Sequence, residues 1–371
     1  MPLRASNNAL GVIETPYPYP VANERTLRKP TMQLSLRQIA LVLSGLLIAA
    51  PAMATNAGWR QITIPGSTSE AAPIPVALYY PTQAPARSIA MGPFTVQVAI
   101  QAPPDATFKG LIVVSHGTGG SELAHSSLAE ALAQHGYLVA ALRHPGDNWQ
   151  DRTLLKSAAR YFTERPQHVS RVIDALLRDP DWSNRIARDG QGPRIGAVGH
   201  SAGGYTVLAL AGGQPDPSRI PAHCDSHRAD DPIFCGMGRT GQPGTSPAAP
   251  APPIPPLIDT RVRAVVALAP VGVIFSAESL AKVRIPTAIY EAEQDRFLVP
   301  RFHAEWIARS LPAAELHRVP NAWHFAFMDT PSMPIPSEDG DVRANPPGFD
   351  RQAFLDQLKH DLPLFFDNAF R

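Results

Sequence analysis

Apolar residues in this chain fall into short unbroken runs separated by polar, glycine-rich loops. Lys109–Ser115 (KGLIVVS), Gly136–Leu142 (GYLVAAL), Ile195–His200 (IGAVGH), Val262–Pro270 (VRAVVALAP) and Ile285–Glu291 (IPTAIYE) each hold such a run. A strand covered on both faces reads this way, because every side chain points into a core, whereas a half-solvated strand alternates. Between these runs the period lengthens. Leu123, Leu128 and Leu132 mark one face of a helix over Ser121–His135, and further helices are expected from about Glu164 to Leu177, over Pro300–Leu311 and from about Asp350 to His360. Leu316–Val319 reads as a last short strand. Upstream, Trp59–Ile64, Pro75–Tyr80 and Phe94–Ile100 are β-rich. Strand, loop and helix alternate, which predicts an α/β fold with a doubly wound, mostly parallel sheet.

The pattern breaks between Gly212 and Asp259. Eleven prolines and both cysteines fall in this stretch, and no helical or strand period runs through it. It is expected to be an irregular, Pro-rich insertion or cap at residues 213–259, lying over the C-terminal edge of the sheet as either a substrate gate or a surface excursion. Its later part, Gly244–Pro256, reads as extended chain.

The first residues carry a different signal. Ile39–Ala50 is a 12-residue apolar run preceded by Arg28, Lys29 and Arg37 and followed by Ala52-Met53-Ala54. Basic start, short apolar centre and A-x-A end together predict a signal peptide, removed so that the mature chain begins near Thr55. Twelve residues are too few to span a bilayer, so no stable membrane insertion is expected after cleavage. Residues 1–31 are polar and aperiodic, and Met32 is an alternative start. Export fits the cysteines: Cys224 and Cys235 are the only pair and are expected to form a disulfide in an oxidising compartment, periplasmic or extracellular. A metal site using these cysteines with His223 and His227 is the competing reading, but the spacing matches no common zinc pattern. The formal net charge of +1, without a basic block, gives no reason to expect nucleic acid.

The chemistry gathers around Gly199-His200-Ser201-Ala202-Gly203. This is G-x-S-x-G between an expected strand and an expected helix, the arrangement of a nucleophile elbow. Glycines are needed at 199 and 203 because strand and helix close tightly around the serine. A serine hydroxyl needs a base within reach, usually a histidine oriented by a carboxylate. Of the histidines beyond Ser201, His223 and His227 fall in the irregular insertion, His303 and His360 on helices expected to face solvent, and His317 within a strand. His324 alone follows the last strand in a loop, and is the expected base. Asp295, in the turn after Ile285–Glu291, is the expected acid, ahead of Glu291, Glu293 and Asp329. Two N–H donors are needed for an oxyanion. The Gly-rich loop His116–Gly120 supplies one, at Thr118 or secondarily Gly117, and Ala202 the other. Trp323, Phe325, Phe297 and His144 are candidate pocket walls.

These residues resemble the α/β-hydrolase superfamily. Within it, Leu78–Pro81, Ser115–Gly119 and Gly136–Ala141 look like platelet-activating-factor acetylhydrolases and their bacterial relatives, often labelled predicted dienelactone hydrolases. The resemblance implies a hydrolase domain over 55–371, carboxylic ester hydrolysis through an acyl-enzyme on a small-molecule ester, and no cofactor. Two departures stand out. Dienelactone hydrolases proper use a cysteine nucleophile where this chain has Ser201. The eukaryotic acetylhydrolases carry their acid after an earlier strand, where this chain has Val271-Gly272-Val273-Ile274 and no Asp. Amide or peptide cleavage, acyl transfer and a non-catalytic binding role on the same fold are the alternatives.

Overall fold

The structure is a computed structural model, described here for residues 55–66, 71–237 and 253–371. The expected signal peptide and the segment 238–252 lie outside the described residues. The main sheet has ten strands: β1 (Asn56–Ile64), β2 (Ile74–Thr82), β3 (Arg87–Met91), β4 (Phe94–Ile100), β5 (Leu111–Ser115), β6 (Leu138–Leu142), β7 (Ile195–His200), β8 (Val262–Leu268), β9 (Thr287–Ala292) and β10 (Glu315–Val319). Their order is β10-β9-β8-β7-β5-β6-β2-β1-β4-β3. From β10 to β6 every neighbouring pair is parallel. At β2 the sheet turns antiparallel.

The unbroken apolar runs form the parallel centre, and both faces of it are covered as expected. Along β5, Leu111 and Val113 face one core while Ile112 and Val114 face the other. The first face is packed by α2 (Ala158–Arg178), α3 (Ala202–Leu210) and α6 (Ala304–Ser310); the second by α1 (Ser126–Gln134) and α7 (Arg351–Ala369). Among the described residues no helix is long and apolar enough to cross a membrane.

Where boundaries differ from the sequence pattern, a tertiary contact accounts for it. Helix α2 starts at Ala158, well before Glu164, because the Ser157 side chain caps it by accepting from the Arg160 N–H. It also runs through Pro166, which cannot donate to the Phe162 carbonyl. The Tyr205 hydroxyl of α3 donates to that carbonyl instead. Helix α7 continues past His360 and through Pro363 to Ala369, since Leu362 and Phe366 are buried against the sheet. The Phe366 ring takes the space that a side chain at Gly196 of β7 would fill.

The insertion departs most from expectation. Far from lacking helical structure, it forms α4 (Arg219–His227) and α5 (Pro232–Gly236). Both are too short for a period to show, and in them only Cys224, Phe234 and Cys235 are buried. The disulfide Cys224–Cys235 joins the two helices, with Cα atoms 5.4 Å apart.

Candidate active site

Strand β7 delivers Ser201 to the start of α3. Ser201 has φ 57° and ψ −117°, a backbone conformation unfavourable for a residue with a Cβ. The turn is held by its own N–H, which donates to the Leu268 carbonyl at 2.9 Å. It also depends on bare glycines: a Cβ on Gly199 would overlap the Gly203 carbonyl, and one on Gly203 the Ser115 carbonyl. Every residue of α3 is buried, while Ser201 keeps partial exposure. The first-turn N–H groups of α3, that of Ala202 among them, have no acceptor within the helix and carry its positive dipole end.

The loop after β5 lies beside this turn; a Cβ on Gly117 would be 3.2 Å from Ser201 Cβ. Its shape is fixed from beneath by a buried ion pair. Arg165 of α2 and Asp147, both fully buried, are joined directly. Asp147 also accepts from the Gly119 N–H at 2.9 Å, and Arg165 donates to the His116 carbonyl. The Thr118 hydroxyl lies 2.5 Å from that of Tyr161. Among the described residues the Thr118 N–H has no acceptor. The sequence pattern did not point to Arg165 or Asp147. They stand on a helix and in a loop with no motif linking them, and meet only because α2 crosses beneath that loop.

Asp295 and His324 meet at the ends of β9 and β10. The His324 Nδ1–H donates to Asp295 Oδ2 at 2.7 Å, and both side chains are about 2% exposed. The other carboxylate oxygen accepts from the N–H groups of Phe297 and Leu298, each at 2.8 Å, which locks the turn. With Nδ1 committed, Nε2 is the imidazole nitrogen left for another partner. His200, next to Ser201, donates Nε2–H to the His324 carbonyl at 3.0 Å, its ring 4.9 Å from that of His324. Burial, reinforced by the charge His324 can carry, holds His200 neutral, well below the usual histidine range. The rival acids are engaged elsewhere. Glu293 accepts from the Asn321 N–H, Asp329 binds Ser127, and Glu291 is buried with Arg318 at 3.7 Å.

The candidate pocket walls separate. Phe297 stacks on His324 at 5.1 Å, and Phe325 meets both rings edge-on at 5.2 Å. Trp323 is covered by the Arg296 guanidinium, 3.9 Å from its ring centre. His144 is not a wall. It is fully buried behind the loop, with Nε2 2.9 Å from Ser115 Oγ and Nδ1 3.3 Å from His168, because the run ending at Leu142 carries it inward. His303, expected to face solvent, is also fully buried. As the residue capping α6 it points inward, accepting from the Gly272 N–H at 3.0 Å and donating to Asp231 at 3.0 Å.

Known structures are similar to this chain in fold. Ferulic acid esterase from Streptomyces cinnamoneus superposes with a TM-score of 0.54 at 21% identity, over 86% of this chain and 92% of that one. The chain has the α/β-hydrolase fold. Residues 88–170 of this hydrolase-fold chain match the family described as platelet-activating factor acetylhydrolase, isoform II. A dienelactone hydrolase from Anabaena variabilis is 16% identical (TM-score 0.46, 85% and 99% of the two chains). An esterase from Pyrococcus furiosus is 11% identical (TM-score 0.47, 85% and 94%). Among curated proteins, none matches the sequence.

Proposed function

We propose that this chain is an exported serine ester hydrolase acting on small or medium carboxylic esters through an acyl-enzyme. The observation that carries this reading is the buried His324–Asp295 pair at adjoining strand ends, one ring away from the strained turn that presents Ser201. Ser201 Oγ attacks the ester carbonyl carbon while His324 Nε2 takes the hydroxyl proton. His324 returns that proton to the alcohol oxygen as the ester C–O bond breaks, leaving the acyl group on Ser201. A water then attacks the acyl-enzyme, its proton passes to His324, and the proton returns to Ser201 Oγ as the acid departs. Asp295 fixes the imidazole so that Nε2 faces the reaction, and stabilises its charged form. The negative charge on the carbonyl oxygen is met by the N–H groups of Thr118 and Ala202. Phe297 and Phe325 wall the acyl site. The relationship to esterases in fold and in residues 88–170 supports this reading, as does the disulfide, which suits an oxidising compartment with the mature chain starting near Thr55.

The test is turnover of p-nitrophenyl esters of graded chain length, together with labelling by a fluorophosphonate. Ser201→Ala should abolish labelling and lower kcat by roughly four orders of magnitude or more. Labelling that persists in that variant, or undiminished turnover, refutes Ser201 as nucleophile.

A further inference from the structure

The insertion helix α4 and the segment from Pro300 to Arg309 line an open cavity of about 540 Å³. None of Ser201, Asp295 and His324 lines it. Arg219, Arg301 and Arg309 do, together with Phe302, Trp306 and Val273, and no carboxylate is among its lining residues.

The three guanidiniums keep donors to spare. A guanidinium has five N–H groups. Among the described residues, Arg219 commits only Nε–H, to the Val273 carbonyl at 2.9 Å. Arg301 pairs with Asp230 at 3.0 Å, and Arg309 pairs with Glu305 at 3.0 Å and donates to the Arg301 carbonyl at 2.8 Å. Both arginines and Asp230 are about half exposed and Glu305 about a third, and such exposed pairs hold weakly. An oxyanion held by guanidinium forks makes stronger charge-assisted bonds than those it would disturb. The aromatic residues are fixed in place. The Trp306 indole N–H donates to the Phe275 carbonyl at 2.9 Å, and Phe302 lies under the Arg301 guanidinium at 4.5 Å.

We propose that this cavity is a second binding site, separate from Ser201, for an oxyanion carried on an aromatic ring: an aryl carboxylate or aryl phosphate. The guanidiniums hold the anion, and Phe302, Trp306 and Val273 hold the ring. The disulfide places the site by fixing α4, which carries Arg219, against α5. The volume suits one such molecule with room for a substituent.

Calorimetric titration of the intact protein with benzoate, phenyl phosphate, phenol and inorganic phosphate tests this. At least one of the two ring anions should bind, with phenol and inorganic phosphate roughly tenfold or more weaker. A preference for benzoate identifies a carboxylate ligand and a preference for phenyl phosphate a phosphate ester; both support the site. Arg219→Gln and Arg309→Gln should each weaken binding about tenfold, while Ser201→Ala leaves it unchanged. Arg309 is half exposed, so its variant keeps the test intact should Arg219→Gln fail to fold. Absence of binding by both ring anions at millimolar concentration, equal affinity for phenol, indifference to both arginine substitutions, or loss of binding in Ser201→Ala would each overturn the proposal.

Discussion

Two buried Asp–His pairs in this molecule look alike on paper and are built for different ends. In one, His324 Nδ1 donates to Asp295 at 2.7 Å. In the other, His303 Nε2 donates to Asp231 at 3.0 Å. The second nitrogen separates them. His303 Nδ1 accepts from the Gly272 N–H, so both ring nitrogens are spent and the imidazole is a bracket. Asp231 is shared as well, accepting from His223 at 2.9 Å, so this pair ties the disulfide-stapled cap to the loop after β8. His324 bonds its carboxylate through Nδ1, and among the described residues Nε2 has no hydrogen-bond partner, as the proposed base requires. An Asp–His contact is therefore no signature of catalysis by itself; what the other nitrogen meets decides its use.

The largest expected effect separates the pairs by activity. His324→Ala should lower kcat for ester hydrolysis by about three to five orders of magnitude, with little further loss when combined with Ser201→Ala. His303→Ala should leave kcat within about tenfold while lowering stability by roughly 2–4 kcal/mol, since it strips a buried carboxylate of one partner. Steady-state kinetics and urea denaturation of the two variants read this directly. If His303→Ala is as inactive as His324→Ala, the distinction fails.

A smaller effect concerns the cap alone. Replacing Cys224 and Cys235 by serine should lower unfolding free energy by about 2–3 kcal/mol, as expected for a short closed loop. Turnover on the smallest esters should hold, because the serines leave the His303 bonds to Asp231 and Gly272 in place. Denaturation midpoints with and without the disulfide, measured beside kcat, check both halves of this expectation.

The smallest effect is on pH dependence, and it arises around the elbow. Burial lowers His125 from 6.5 to about 4, and pushes His116, His144 and His200 down as well. Each is neutral in the fold and binds a proton more readily when unfolded. Their contribution to stability is thus fully present above pH 6.5 and is lost as pH falls through the folded value, about 4 for His125. Glu130, raised to about 7 by burial, works the other way, favouring the fold at low pH and losing that advantage as pH rises through 7. Burial raises Glu291, Asp329 and Asp339 too, but six lowered histidines, His168 and His223 among them, outnumber these four carboxyls, so the melting temperature should drop below pH 6.5. A melting temperature that rises on acidification would contradict these assignments.

Much of this was legible along the chain. Unbroken apolar runs and spaced helical faces set the order of strands and helices, because covering both sheet faces leaves no alternation. The G-x-S-x-G turn was readable because its glycines answer a local steric demand that no other residue meets. Asp295 and His324 stand out by position, each in the first loop after a strand. The insertion was opaque for the opposite reason: helices of nine and five residues, with few buried side chains, leave no period to read.

What the tertiary structure alone decided were the partners. Nothing local distinguishes His303, expected on a solvent-facing helix, from a surface residue, and it is buried because Gly272 and Asp231 converge on it. His144 follows an apolar strand in a way that suits a pocket wall, yet Ser115 and His168 hold it inside. Arg165 and Asp147 shape the loop beside Ser201 from two different elements. Sequence fixes periodicity, turn sterics and the order of groups, because these depend on near neighbours. Which nitrogen of a histidine is free, and which charge is buried against which loop, depends on residues that become neighbours only when the sheet closes.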